Sequence, residues 1–481
     1  MKESAARIIK NVFFLVLKGL SEKGVAFLVV IYLARVLGPQ LFGKISFALA
    51  MMSYFILFTD FGLVTYAVKE VSRQKEKVQE YVNTIVSLRA GLALTALIVI
   101  NIVNLLLPFD QEKRVLIAVY SFALLPMAFD LSWVFTAFER MEYQFYIGLT
   151  GALVYASLVF TLISGRLGYV AVPVAYLASY ACMALISVIA FSRRRARIRF
   201  SYIPKKWLEI ARTAFPIGFS FLMIDIYYNM DSIMLSFMRG DAEVGYYNAA
   251  YKIVLFAVAF AGMVITAFFP ILSRLYQDNR QKLEIAANKY VKLLVALGIP
   301  LAVGGYMVAR RLIVTFYSSS YLDAVLPFQI LIITAGLIYI NIAYGNPLLA
   351  WDRQNDYVKA ISAGAVINII LNFILIPPFG MTGAAIATFM AEFTVFAGVY
   401  MIFQRIIRLP LWKMTVKPLL SASIMAIYLF YAGDMNLAAL IMTSAAVYII
   451  SMWVSKGLSA EDKKLLLSLI NKETGIGMSP N

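Results

Sequence analysis

The chain has 481 residues, 62% of them hydrophobic and 14% charged, with a formal net charge of +17; this balance places it among polytopic membrane proteins and outside the soluble classes. The absence of histidine and the single cysteine, Cys182, exclude His-based acid–base catalysis, His or Cys metal centres and a disulfide framework, so no enzyme activity, metal or cofactor is expected. In a soluble chain such an excess of basic residues would suggest nucleic acid; here the placement of the charge decides, and it points to topology instead.

Residues 1–11 are short and basic, and the apolar run after them is too long for a signal-peptide core, so the first predicted helix is expected to stay in the mature protein. The apolar runs predict an all-α polytopic membrane protein of about fourteen transmembrane helices. They lie at 12–36, 42–64, 82–107, 115–137, 146–164, 169–191, 211–237, 246–271, 291–316, 325–349, 358–377, 383–404, 416–432 and 436–454. Most of the 43 Lys and Arg fall in the tails and the even-numbered connections: Lys69, Arg73, Lys75 and Lys77, then Arg140, then the run from Arg193 to Lys206. Excess basic charge marks the cytoplasmic side, so both termini are expected in the cytoplasm of a multi-pass protein of the plasma (inner) membrane.

Two turns share a Gly-x4-Gly pattern, Gly38 to Gly43 and Gly240 to Gly245, and Ser72-Arg73 aligns with Ser273-Arg274 at nearly the same offset. Six helices per repeat is an even number, so the halves are expected to share one orientation, related by an axis along the membrane normal. The resulting division is an N-lobe (1–192), a basic cytoplasmic linker (193–210), a C-lobe (211–404), and a final helix pair with a cytoplasmic tail (405–481). Within that tail, 460–471 has a charged start and a Leu-rich face, and is expected to form a short interfacial helix.

Ionisable residues inside the spans are functional candidates by default, because each must find a partner or a wet cavity. The first helix carries Lys18, Glu22 and Lys23 in otherwise apolar sequence. Lys23 lies about 16 Å along a helix that starts at Val12, near mid-bilayer. Lys18 and Glu22 stand at i,i+4 and are expected to pair, while Lys23, about 100° away from Glu22, is expected to face a cavity. Arg35, Arg89, Lys252, Arg310 and Arg311 are the other basic candidates. Asp225, Asp231, Glu392 and Glu22 are the acids expected to bind a coupling cation, H+ or Na+, or to hold the bases in place, with Asp60 and Asp130 nearer the helix ends. Asn368 and Asn372, at i,i+4, are expected beside Tyr228 and Asn229.

Several stretches together resemble the polysaccharide flippases of the multidrug/oligosaccharidyl-lipid/polysaccharide exporter superfamily, in particular the Wzx-like O-antigen and exopolysaccharide branch. They are Leu33 to Gly43, Asp60-Phe61-Gly62-Leu63 with Lys69 to Arg73, Asp231 with Gly245 to Ile253, and Asn368 to Thr388. The resemblance implies alternating access by two six-helix bundles. The substrate it implies is a polyprenyl-diphosphate-linked oligosaccharide, carried from the cytoplasmic to the outer leaflet. It also implies contact between the diphosphate and cavity bases, carried here onto Lys23, Lys252 and Arg35, with Lys18, Arg89 and Arg310 as further cationic candidates. Membrane lipids and the lipid-linked oligosaccharide are the expected partners. The alternatives are a cation-coupled multidrug exporter on the same fold, with Asp225 and Glu392 as its sites, and a lipid II flippase. A polytopic glycan ligase or polymerase is disfavoured, because no connection is long enough for an extramembrane catalytic domain.

Overall fold

The computed structural model describes residues 2–193, 198–201, 203–433 and 435–457. Part of the basic linker and the expected interfacial helix at 460–471 lie outside these residues. Among the described residues the regular structure is entirely helical. Its α-helices are α1 (Lys2–Asp60), α2 (Leu63–Arg73), α3 (Val78–Leu106), α4 (Gln111–Ser121), α5 (Leu124–Ala128), α6 (Ser132–Ala137), α7 (Met141–Leu162), α8 (Ala171–Ser192), α9 (Pro204–Met238), α10 (Asp241–Val258), α11 (Ala261–Asp278), α12 (Arg280–Met307), α13 (Ala309–Tyr317), α14 (Val325–Ala350), α15 (Gln354–Ile406), α16 (Leu411–Tyr431) and α17 (Leu437–Val454). Among the described residues twelve segments are long and apolar enough to cross a membrane, and the chain is a multi-pass integral membrane protein.

Two of the twelve are far longer than a bilayer needs. Straight, α1 would run about 90 Å, roughly three times the hydrocarbon thickness. It breaks at Gly38, whose φ of 71° and ψ of 174° are not helical, followed by Pro39. Its two arms then pair with two neighbours. Phe27 stacks on Phe256 of α10 and Pro39 meets its Gly245, in reverse order, and Phe47, Ser53 and, just past the helix, Phe61 likewise meet Phe237, Asp225 and Phe215 of α9 in reverse order. Because α9 and α10 are themselves antiparallel, joined side by side through Tyr247–Asp231 and Asn248–Ser232, the arms of α1 must also be antiparallel. In α15 the break is at Gly380 (φ 55°) after Pro377-Pro378. Asn372 and Thr388 lie on either side of it, and both bond the carboxylate of Asp231. On a straight helix they would be about 24 Å apart, so the segment doubles back. Two such hairpins accommodate the fourteen expected spans.

The described chain forms two compact units. The first comprises residues 1–259, 313–327 and 361–391. In it, Leu63, Ala67 and Val71 make an i,i+4,i+8 stripe on α2 that packs with Val82, Ile85, Trp133 and Ile210. The two Gly-x4-Gly turns meet here reciprocally. A Cβ on Gly43 would lie 1.7 Å from the carbonyl oxygen of Asp241, and one on Gly245 would lie 1.9 Å from that of Pro39. Equivalent positions therefore touch equivalent positions, and only glycine permits the approach.

The second unit comprises residues 260–312, 328–360 and 392–481. There α12 packs on α14 through Gly298 against Tyr339 and Gly305 against Ile332. Tyr448 of α17 donates to the carbonyl of Ala296 at 2.8 Å, and Arg311 donates to the carbonyls of Gly433 and Met435 at the end of α16.

Candidate functional site

Among the described residues of the first unit the most deeply buried acid is Asp231, 2% exposed on α9. Tyr247 of α10 donates to Oδ2 at 2.5 Å, Thr388 to the same oxygen at 2.8 Å, and Asn372 to Oδ1 at 2.5 Å. Asn372 also donates to Asn368 at 3.1 Å. The asparagine pair expected beside Asn229 thus serves Asp231, while Asn229 donates to Asp225 at 2.8 Å. One carboxylate ties four helical segments together, as a buried charge requires. The Oδ1 of Asn372 is buried without a hydrogen-bond partner, so the cluster retains one unused oxygen beside the carboxylate.

Most of the other intramembrane candidates are held by protein groups. Asp225 accepts from Ser53 at 2.7 Å as well as from Asn229. In the second unit, Glu392 is 5% exposed and accepts from Asn341. Arg89, 8% exposed, lies 3.6 Å from Asp60 Oδ1 and donates to the carbonyl of Asp130, whose carboxylate accepts from the Ser132 N–H and hydroxyl at the start of α6. Arg35 donates to the carbonyls of Thr315 and Phe316. Lys18 donates to Gln144 at 2.8 Å, and it and Glu22 lie together over Gly148 of α7. Arg310 is exposed on α13 in the second unit.

Lys23 and Lys252 differ from the paired candidates, and also from Arg310, which has no partner among the described residues either but lies exposed at the start of α13. Lys23 is exposed and Lys252 half-buried, and among the described residues neither has an ion-pair or hydrogen-bond partner. Both stand four residues before a ring of the same pair, Phe27 and Phe256, whose centroids are 4.4 Å apart and whose planes differ by 8°. Residues four apart share a helix face, so both ammonium groups belong to the seam between α1 and α10. An unpaired cation within a span marks a place for an anion or water.

Sequence reasoning missed two buried lysines near helix ends. Lys44, 4% exposed, binds Asp110 and Glu112. Lys113 binds Asp241 at 2.7 Å and Ser236 at 3.0 Å, and sits 4.7 Å from the centroid of the Phe47 ring. The only local signal was the Asp110-Gln111-Glu112-Lys113 run, where Asp110 caps α4 through the Lys113 N–H.

Comparisons with known proteins agree with this architecture. The profile described as polysaccharide biosynthesis protein matches residues 8–276, and that of the lipid II flippase MurJ matches residues 186–455. A putative O-antigen transporter of Escherichia coli K12 is 24% identical over 398 residues, spanning 80% of this chain and 93% of the relative. The capsular polysaccharide biosynthesis protein CapF of Staphylococcus aureus is 21% identical over 418 residues, spanning 83% of this chain and all of the relative. Among solved structures, a lipid II flippase MurJ in an inward closed conformation superposes with a TM-score of 0.78 at 18% identity, covering 92% of this chain and 98% of that one. An inward-facing multidrug resistance MATE family transporter gives 0.67 at 16% identity, covering 80% and 95%.

Proposed function

This chain belongs to the polysaccharide biosynthesis protein family, within the multidrug/oligosaccharidyl-lipid/polysaccharide exporter superfamily, and we propose that it is a flippase for a polyprenyl-diphosphate-linked oligosaccharide. It carries the headgroup from the cytoplasmic to the outer leaflet of the plasma (inner) membrane, with both termini cytoplasmic, by alternating access of the two six-helix lobes (1–192 and 211–404) joined by the 193–210 linker. The observation that carries this reading is the pair of unpartnered lysines, Lys23 and Lys252, on one helix seam. A diphosphate cannot enter hydrocarbon alone, and its sugars would lose their hydrogen bonds to water. Ammonium groups kept free of carboxylates are available to bind it as it passes.

Outward movement of an anion is downhill in an inside-negative membrane. At about 2.3 kcal/mol per charge per 100 mV, two charges gain roughly 4.6 kcal/mol. Where a coupling cation adds to this drive, Na+ or H+, the reading assigns it to Asp231. That acid has a carboxylate, the Thr388 hydroxyl and the orphaned Asn372 oxygen within one cluster, and hard cations take oxygen donors. A second reading, with lipid II as the lipid-linked glycan, draws on the profile match over residues 186–455; both readings share the diphosphate.

The test is Lys23→Ala in proteoliposomes containing a lipid-linked oligosaccharide. The expected outcome is loss of headgroup translocation in a protein that still folds and inserts. Wild-type translocation by that variant removes Lys23 from the site.

A further inference from the structure

Phe27, Phe256, Lys23 and Lys252 have an order along the membrane normal that an anion path must respect. Since the first arm of α1 runs antiparallel to α10, with Phe27 level with Phe256 and Pro39 level with Gly245, four residues back from Phe27 leads toward the N-terminal end of α1. Four residues back from Phe256 leads the other way, toward the Gly38 and Gly240 turns. Each step is about 6 Å, so the two lysines stand roughly 12 Å apart along the normal with the stacked rings between them. Side chains on a helix lean toward its N-terminus, so both ammonium groups lean away from the rings.

A third ring joins the pair. Phe316 meets Phe27 edge-on with centroids 5.7 Å apart. The segment that carries it is fastened to the end of the first arm of α1 by Arg35, which donates to the carbonyls of Thr315 and Phe316, and by Tyr321, which donates to the carbonyl of Ala34 at 3.0 Å. The fastening acceptors are neutral carbonyls, whereas a phosphate oxygen is a charged acceptor and the stronger partner for a guanidinium.

We propose that Phe27, Phe256 and Phe316 form an aromatic septum between two successive anion stations, Lys23 on the N-terminal side and Lys252 beyond it, so that the lysines bind the diphosphate in turn rather than together. This inference rests on the flippase reading for the identity of the anion, but the septum itself is a statement about access. It assigns Arg35 to a latch on the outer side of the septum: the guanidinium holds the Phe316 segment down until an arriving phosphate competes for its N–H groups.

The test is thiol labelling, which needs no substrate. In a Cys182→Ser background, Lys23→Cys and Lys252→Cys are exposed to a membrane-impermeant maleimide in sealed vesicles, with an N-terminal tag reporting orientation. Lys23→Cys should label from the face that bears the tag, and Lys252→Cys should be protected from it. Adding Phe27→Ala to Lys252→Cys, which removes both ring contacts of Phe27, should raise labelling from that face roughly tenfold, the scale of about 1.4 kcal/mol of aromatic pairing. Phe27→Trp, which keeps a ring in place, should preserve protection and guards against general misfolding. Equal labelling of the two cysteines with the rings intact, or no change with Phe27→Ala, overturns the septum. If translocation of the lipid-linked glycan fails while this labelling pattern holds, it is the choice of cargo that is wrong and the partition stands.

Discussion

Tyr247 and Lys252 lie on the same helix, α10, about 140° apart around its axis, and they meet opposite kinds of environment. Tyr247 is 1% exposed and gives its hydroxyl to Asp231, in a cluster where every oxygen of the carboxylate is used. Lys252 is half-buried and has no partner among the described residues. A charge that is fully hydrogen-bonded holds helices together; a charge left unpartnered costs stability and is retained for what it binds. Depth in the membrane does not separate the two cases. What separates them is whether the neighbouring segments bring a complementary group to the same level.

That contrast breaks first at Asp231. Replacing it with alanine leaves Tyr247, Thr388 and Asn372 without their common acceptor in a site that excludes water, at a cost of about 2–4 kcal/mol. Thermal unfolding of the purified protein in detergent should show a large downward shift, and an unchanged midpoint would mean that the cluster does not bind the four segments together. Lys252→Met should do the reverse. Removing an unpaired, half-buried ammonium relieves a desolvation cost, so the midpoint should stay or rise. Translocation should fall about thirtyfold, the factor for roughly 2 kcal/mol from one truncated charge contact. A destabilised Lys252→Met with normal translocation would put Lys252 in the same structural class as Asp231.

The same contrast explains what could be read from the amino-acid order. The spans are legible because apolar runs of helical length have few alternatives, and the hairpins at Gly38 and Gly380 because a doubled span needs a break. Depth follows from the rise per residue, which is why Lys23 stands out. Direction around the helix relative to neighbours is not encoded locally. Asp231 lies only two turns from the end of its predicted helix and reads as a capping acid, yet its partners come from Tyr247, Asn372 and Thr388, two of them more than a hundred residues away. Glu392 reads as a deep functional acid, and only folding brings it the Asn341 amide from 51 residues away. Lys44 and Lys113 sit near helix ends, where snorkelling would serve, and only folding shows them buried against Asp110, Glu112 and Asp241.

The mildest break in the comparison is at that last corner, where paired charges meet solvent. Asp110 lies between α3 and α4, outside the spans, with a side chain 47% exposed. Burial raises its carboxyl, but the hydrogen bonds from the Lys44 ammonium and the Lys113 N–H outweigh this and hold it below the usual carboxylate range. A carboxylate depressed in the folded state stabilises above its unfolded value, and that contribution is lost as the pH falls through the folded value. Wild-type protein should therefore lose more thermal stability than Asp110→Asn when acidified from neutrality to below about pH 4. Exposure and the second acceptor, Glu112, keep the difference small, about 1 kcal/mol or less. Identical acid profiles would show that Glu112 alone suffices for Lys44, and that the corner depends on the buried Lys113–Asp241 pair.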